Sequence, residues 1–208
     1  DNRLTAGHVE SVNGVGLGDF ASPEQIIPVE GVVDRDGKPV VWEACNTMND
    51  NWGYACKDHN WKSAGQMVRM LVECVSKNGN LLINVGPTAR GEIPAPSVER
   101  LEAVGKWMHA NSASIYGCGK ADYPKPEWGY YTQKGKTLYA HILNPPVGPV
   151  VLLGLGEKVR KARLLADGSE LSLSRPWMAG ENKRDCFVTI GPLACYDPID
   201  TVLALDLM

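Results

Sequence analysis

The sequence predicts an α/β chain in two parts: the C-terminal part of a (β/α) TIM-like barrel, followed by an antiparallel β-sandwich domain. Three observations carry that prediction. The run Asn80-Leu81-Leu82-Ile83-Asn84-Val85-Gly86-Pro87 is apolar without alternation, which reads as a central strand of a parallel sheet, buried on both faces. Helical periodicity flanks it on both sides, and helix–strand–helix is the repeating unit of a parallel α/β fold. After Gly117 the helical spacing disappears, and short strand-like runs separated by turn residues replace it.

The elements follow in order. Asp1-Asn2-Arg3-Leu4 reads as the end of a strand. Glycines 14, 16 and 18 lack the preceding strand and following helix of a dinucleotide-binding loop, so no phosphate role is assigned to them. Gly18 to Gln25 reads as a polar loop carrying Asp19 and Glu24, and Asp34 to Lys38 as a turn. Val40 to Cys45 is a short apolar strand, and a polar, aromatic loop runs from Asn46 to Trp61 through Asn51-Trp52-Gly53-Tyr54. From Ser63 to Lys77, Met67, Val68, Met70, Leu71, Cys74 and Val75 recur at helical spacing, with Asn78-Gly79 as the stop. From Ser97 to Met108, Val98, Leu101, Val104 and Met108 repeat the pattern, with Pro94 and Pro96 at the start. These are about three βα units, too few to close a barrel of eight. The domain boundary is expected near residue 118, giving a barrel part over 1–117 and a sandwich over 118–208. Strands of the sandwich are expected at 128–132, 137–143, 150–153, 162–165, 170–173, 186–190 and 201–207.

Composition narrows the function classes. An apolar fraction of 44% and a charged fraction of 22% describe an ordinary folded protein. A net charge of −3 offers no electrostatic ground for nucleic-acid binding. No apolar run approaches the ~20 residues that span a bilayer, so no membrane partner is expected. The six cysteines form no C-x-x-C pair and fit no zinc template, the four histidines are scattered, and neither a metal nor a cofactor is expected. Buried or free thiols are the expected state of the cysteines, with a Cys45–Cys56 bridge left open.

Chemistry in such a fold belongs to the loops at the carboxyl ends of the strands. There the sequence places Arg3, Asp19, Glu24, Trp42, Glu43, Trp52 and Tyr54. Carboxylates beside tryptophans suit carbohydrate work, because a sugar's C–H face stacks on an indole and a glycosidic bond is cleaved by two carboxyl groups.

Several segments resemble one family. Trp42-Glu43-Ala44-Cys45, Asn51-Trp52-Gly53-Tyr54, Trp61-Lys62-Ser63-Ala64, the run Val75 to Pro87, and Val98-Glu99-Arg100-Leu101 with Ile115-Tyr116-Gly117 look like the α-L-fucosidases of glycoside hydrolase family twenty-nine. Lys134 to Tyr139 and Asp197-Pro198-Ile199-Asp200-Thr201-Val202 resemble that family's C-terminal β-sandwich. The resemblance implies a retaining hydrolase of fucosylated oligosaccharides or glycoconjugates, in a secreted, periplasmic or lysosomal setting, with no cofactor. It implies Glu24 as general acid/base and Arg3 and Trp52 as contacts to the fucose. Glu43 is the second choice for the acid/base and is otherwise expected at the substrate or as an anchor under the loop. The family's nucleophile is an aspartate on a strand upstream of the segment resembled by Asn2 to Leu4, and these 208 residues do not include that strand. Asp19, five residues from Glu24 on one loop, does not replace it, so the chain as given is expected to be inactive alone. The alternative reading is a non-catalytic fucose- or carbohydrate-binding protein.

Overall fold

The structure is a computed structural model that describes residues 4–5, 8–9, 19–34, 36–174 and 183–208. The chain forms two compact units, Asp1–Gly105 and Lys106–Met208.

The first unit opens with β1 (Leu4–Thr5) antiparallel to β2 (His8–Val9). Its main feature is a small parallel sheet. Strand β3 (Trp42–Thr47) pairs along its whole length with β4 (Gly79–Asn84), from Trp42 opposite Gly79 to Thr47 opposite Asn84. On the other side of β3, residues 21–25 also run parallel, with Ala21 opposite Trp42 and Glu24 opposite Cys45. The backbone bonds are Ala21 N–H to Val41 O (2.9 Å), Glu43 N–H to Ala21 O (3.0 Å), Cys45 N–H to Pro23 O (3.0 Å) and Gln25 N–H to Cys45 O (2.9 Å). The missing rung is the one for which Pro23 has no N–H.

Two sequence expectations are corrected here. The polar loop holding Glu24 pairs with β3 through two isolated bridges: Ala21 and Pro23 are buried while Ser22 and Glu24 alternate outward, so its polarity belongs to one face only. Among the described residues β4 has a strand partner on one side alone, and β3 lies between β4 and the bridged segment. The face of β4 carrying Asn80 and Leu82 is exposed, with Leu82 42% accessible.

Helix α1 (Ala64–Val75) begins with a capping box, in which Ser63 Oγ accepts from Gln66 N–H (3.1 Å) and Gln66 Oε1 accepts from Ser63 N–H (2.7 Å). It ends where Asn78 turns left-handed, at φ 60°. Cys74 of α1 packs with Trp42, Ala44 and Ala21 on the covered face of the sheet. Burial, more than the neighbouring Glu73, pushes its thiol up to about 12, as befits a small core hydrophobe.

Gly79 follows directly from Trp42. A Cβ at position 79 would lie 2.2–2.4 Å from atoms of the Trp42 ring, whose Nε1–H bonds to Lys77 O at 3.3 Å. A ring held in this way has nowhere to retreat. Gly79→Ala is therefore expected to destabilise the protein by about 1–3 kcal/mol through overpacking, read as a lower urea midpoint. An unchanged midpoint would show that the indole moves freely.

Helix α2 (Ala95–Asn111) buries Ser97 and Trp107, but Val98 and Leu101 of its expected apolar stripe are exposed. Within the first unit its Arg100 donates to Lys62 O and Pro96 O, each at 2.8 Å, and lies over the Trp61 ring. Part of the helix surface is thus occupied by a guanidinium contact rather than by aliphatic packing. No described helix is long and apolar enough to cross a membrane.

The second unit contains an antiparallel sandwich. One sheet has the order β10–β9–β13–β7–β6–β5 and the other the order β11–β12–β8. The strands are β5 (Gly119–Lys120), β6 (Gly129–Lys134), β7 (Thr137–Ile142), β8 (Val150–Leu152), β9 (Val159–Leu164), β10 (Glu170–Leu171), β11 (Leu173–Ser174), β12 (Cys186–Val188) and β13 (Thr201–Leu207). Leu138, Ile142, Val150, Leu152, Leu203 and Leu205 from both sheets meet in one core. Trp128, Tyr130 and Tyr131 are buried, and Trp128 Nε1–H donates to Val151 O of the opposite sheet at 3.1 Å. They are packing residues, not an exposed sugar platform.

A polar cluster lies in this unit. His141 is fully buried, with Nδ1 2.7 Å from Asp200 Oδ2 and Nε2 3.1 Å from Thr132 Oγ1. The Thr132 hydroxyl donates to Ser114 O at 2.7 Å. Its single proton is committed there, so Nε2–H is the donor to Thr132. The ring is thereby held from both nitrogens, by Thr132 and by the Asp200 carboxyl. Trp107 Nε1–H bonds Asp200 O at 2.9 Å. Asp197 Oδ1 accepts from Ile199 N–H at 2.7 Å, shaping the turn that delivers Asp200. All six cysteines are free thiols, so Cys45 and Cys56 are not bridged.

Candidate active site

The parallel sheet's uncovered face carries the candidate residues. Strand alternation puts Glu43, Cys45 and Thr47 of β3 on one side. The pairing of Glu24 with Cys45 sets Glu24 on the same side. Two backbone bonds bracket Glu24, because Cys45 bonds both Pro23 and Gln25. The two carboxylates therefore flank one thiol. Burial first, then the charges of Glu24 and of Glu43, raise the Cys45 thiol above its ordinary range and keep it protonated.

Thr47 organises the carboxyl end of β3. Its hydroxyl is fully buried, donates to Asn49 O, and accepts from Gln25 Nε2–H at 3.0 Å. Lys62 Nζ lies 3.4 Å from the same hydroxyl and 3.3 Å from Asn49 O. The loop that follows is tied by its own polar side chains. Asn60 Nδ2–H donates to both carboxylate oxygens of Asp50 (3.1 and 3.0 Å), and Asn51 Nδ2–H donates to Asp58 Oδ2 (2.7 Å). The Asn51 amide is the main reason the Asp58 carboxyl sits below its ordinary range.

This loop presents Trp52, 36% accessible, and Tyr54, 52% accessible. It is fastened to the end of β4, where Asn84 Nδ2–H donates to Trp52 O at 2.6 Å. A Cβ at Gly86 would come within 2.8 Å of Gly53 C and Tyr54 N, so the two loops touch backbone to backbone. The sequence Asn84-Val85-Gly86 thus sets the height of Trp52. Among the described residues no group of three His, Cys, Asp or Glu side chains is placed to hold a metal.

A family model described as alpha-L-fucosidase matches residues 1–113, more than half of the chain. The chain belongs to the α-L-fucosidase family. Among solved structures, α-L-fucosidase isoenzyme 1 from Paenibacillus thiaminolyticus superposes with a TM-score of 0.90 at 54% identity, covering 93% of this chain and 46% of that one. A GH29 α-L-fucosidase from Bacteroides thetaiotaomicron, solved as a trapped covalent intermediate with 2-fluoro-fucosyl fluoride, gives a TM-score of 0.78 at 27% identity and covers 94% and 45% of the two chains. The plasma α-L-fucosidase of Rattus norvegicus is 35% identical over 147 residues, which is 64% of this chain and 32% of its own length. The chain therefore spans about a third of that curated relative and under half of these solved fucosidases.

Set against the sequence expectations, the structure brings Glu24 and Glu43 onto one sheet face and fastens Trp52 to the carboxyl end of β4, but Trp42 and Glu43 stand at the start of β3 rather than in a carboxyl-end loop, and Trp42 is buried. Arg3 lies outside the described residues. Gln25, Cys45, Thr47 and Lys62 were not among the expected site residues, and no sequence signal marks them. The carboxyl end from Asn84 to Pro87 does carry one, a polar side chain closing an apolar strand.

Proposed function

We propose that these residues are the C-terminal portion of a retaining α-L-fucosidase that releases terminal α-L-fucose from fucosylated oligosaccharides or glycoconjugates. In this reading 1–117 complete a (β/α) barrel and 118–208 form the sandwich appended to it. The observation that supports it most is Glu24, held in register beside Cys45 at the carboxyl end of a parallel sheet, in a chain that belongs to this family.

The mechanism is double displacement. An aspartate from the barrel strand implied upstream attacks the anomeric carbon, and Glu24 donates its proton to the departing glycosidic oxygen. A covalent fucosyl-enzyme results. Glu24, now ionised, takes a proton from water as that water attacks the anomeric carbon, expelling the aspartate and restoring the acid. Trp52 covers the apolar side of the sugar, Arg3 contacts a fucose hydroxyl, and Glu43 supports the substrate side of the same face. The test is the anomer formed first. In the protein completed by its nucleophile-bearing part, proton NMR of early hydrolysis should show α-L-fucose before mutarotation. The β anomer would overturn retention, and fucose binding without turnover would mark a carbohydrate-binding protein.

Trp52→Ala in the same protein should weaken a fucose-like iminosugar by about 1–3 kcal/mol, through lost stacking and burial. Calorimetric titration measures this directly, and an unchanged affinity would remove Trp52 from the sugar subsite.

A further inference from the structure

We infer that Gln25 is a positioning residue for Glu24, acting through its side-chain bond to Thr47; this rests on the reading of Glu24 as the acid/base. Gln25 has φ 59°, in the left-handed region that side chains other than glycine and asparagine seldom occupy. Its N–H still closes the last rung of the ladder, on Cys45 O at 2.9 Å. An extended Gln25 would continue the alternation and project toward the side of Ala21 and Pro23. The positive φ breaks that alternation and lets the side chain reach Thr47, where Nε2–H donates to Oγ1 at 3.0 Å. Thr47 is itself immobilised: it is fully buried, bonded to Asn49 O and approached by Lys62 Nζ.

Glu24 is consequently held from both ends. Before it, Pro23 O is bonded by Cys45; after it, Gln25 is bonded to Cys45 through its backbone and to Thr47 through its side chain. A carboxyl group that must give a proton to one oxygen and later take one from water needs its position fixed to a fraction of an ångström. In this proposal Gln25 contacts neither the sugar nor the reacting atoms and acts only through Glu24.

Gln25→Gly separates this role from folding. Glycine accepts the positive φ without strain and removes only the tether. In the completed enzyme the urea midpoint should hold or rise. Meanwhile kcat on natural fucosides, whose leaving group needs a proton, should fall about 10- to 100-fold with KM little changed. Aryl fucosides with good leaving groups should lose much less in their first step. Thr47→Val should reproduce that pattern, and the double variant should be no worse than Thr47→Val alone, since Thr47→Val already removes the Gln25 bond. Glu24→Gln is run alongside. If it is silent, the acid/base reading fails whatever Gln25 does. If it removes acid catalysis while Gln25→Gly leaves kcat and the leaving-group dependence unchanged, the positioning role is overturned. Additive losses in the double variant also overturn it.

Discussion

Glu24→Gln, made in the completed enzyme, is expected to lower turnover of natural fucosides by about 10²–10⁴-fold, the usual worth of a positioned general acid. Aryl fucosides with good leaving groups depart without protonation, so their first step should survive. The second step needs a base to activate water, and glutamine is not one. Fucosyl-enzyme should accumulate and appear as a burst of released phenol. Azide requires no base and should restore turnover, giving α-L-fucosyl azide after two inversions. Glu43 provides the internal control, because it lies on the same sheet face, on β3 two residues before the Cys45 that pairs with Glu24. Should Glu24→Gln show no rescue while Glu43→Gln yields the α azide, the acid/base belongs at Glu43.

Asp200→Ala is expected to cost about 1–3 kcal/mol of stability, the penalty for leaving a buried polar group without its hydrogen-bond partner. His141 and Asp200 are both fully enclosed, and the other ring nitrogen is engaged by Thr132. Removing the carboxylate leaves His141 Nδ1 without a partner in a fully enclosed site. Asp200→Asn keeps a polar group at Nδ1 and should cost less, so the pair of variants separates the lost carboxylate from the lost hydrogen bond. Urea titration of both gives the comparison. An unchanged midpoint for the alanine variant would show that the pair contributes nothing to stability.

Much of this fold was legible because burial writes a period into the chain. The strands β7, β8 and β13 fall within a residue or so of their expected places, since their alternating or continuous apolar runs are bounded by turn residues such as Gln133 to Lys136. Helix α1 was equally plain, with its stop at Asn78. Residues 21–25 were not, because they pair with β3 through two isolated bridges and nothing in Ser22-Pro23-Glu24 signals that partner. The apolar run of β4 overstated its burial for the same reason: it records an apolar composition, not which faces are covered. Site residues followed this division. Glu24 and Trp52 stood out as candidate residue types in loops, whereas Glu43, also expected in a loop, lies on β3. The Gln25–Thr47 bond was not, because it joins positions 22 apart and depends on one backbone dihedral. The His141–Asp200 pair, 59 positions apart, was hidden likewise.

The contact between Trp42 and Gly79 also constrains how this sequence can vary over time. The indole fills the space that any side chain at 79 would need, so the two sites are not free to drift separately. Trp42→Leu opens a cavity under the sheet on the original background, yet it would open room for Gly79→Ala. Each step is harmful first and tolerable second. Such a pair defines an ordered mutational path with a trough between its ends. Across descendants of this chain, tryptophan and glycine at these positions should be inherited together or exchanged together.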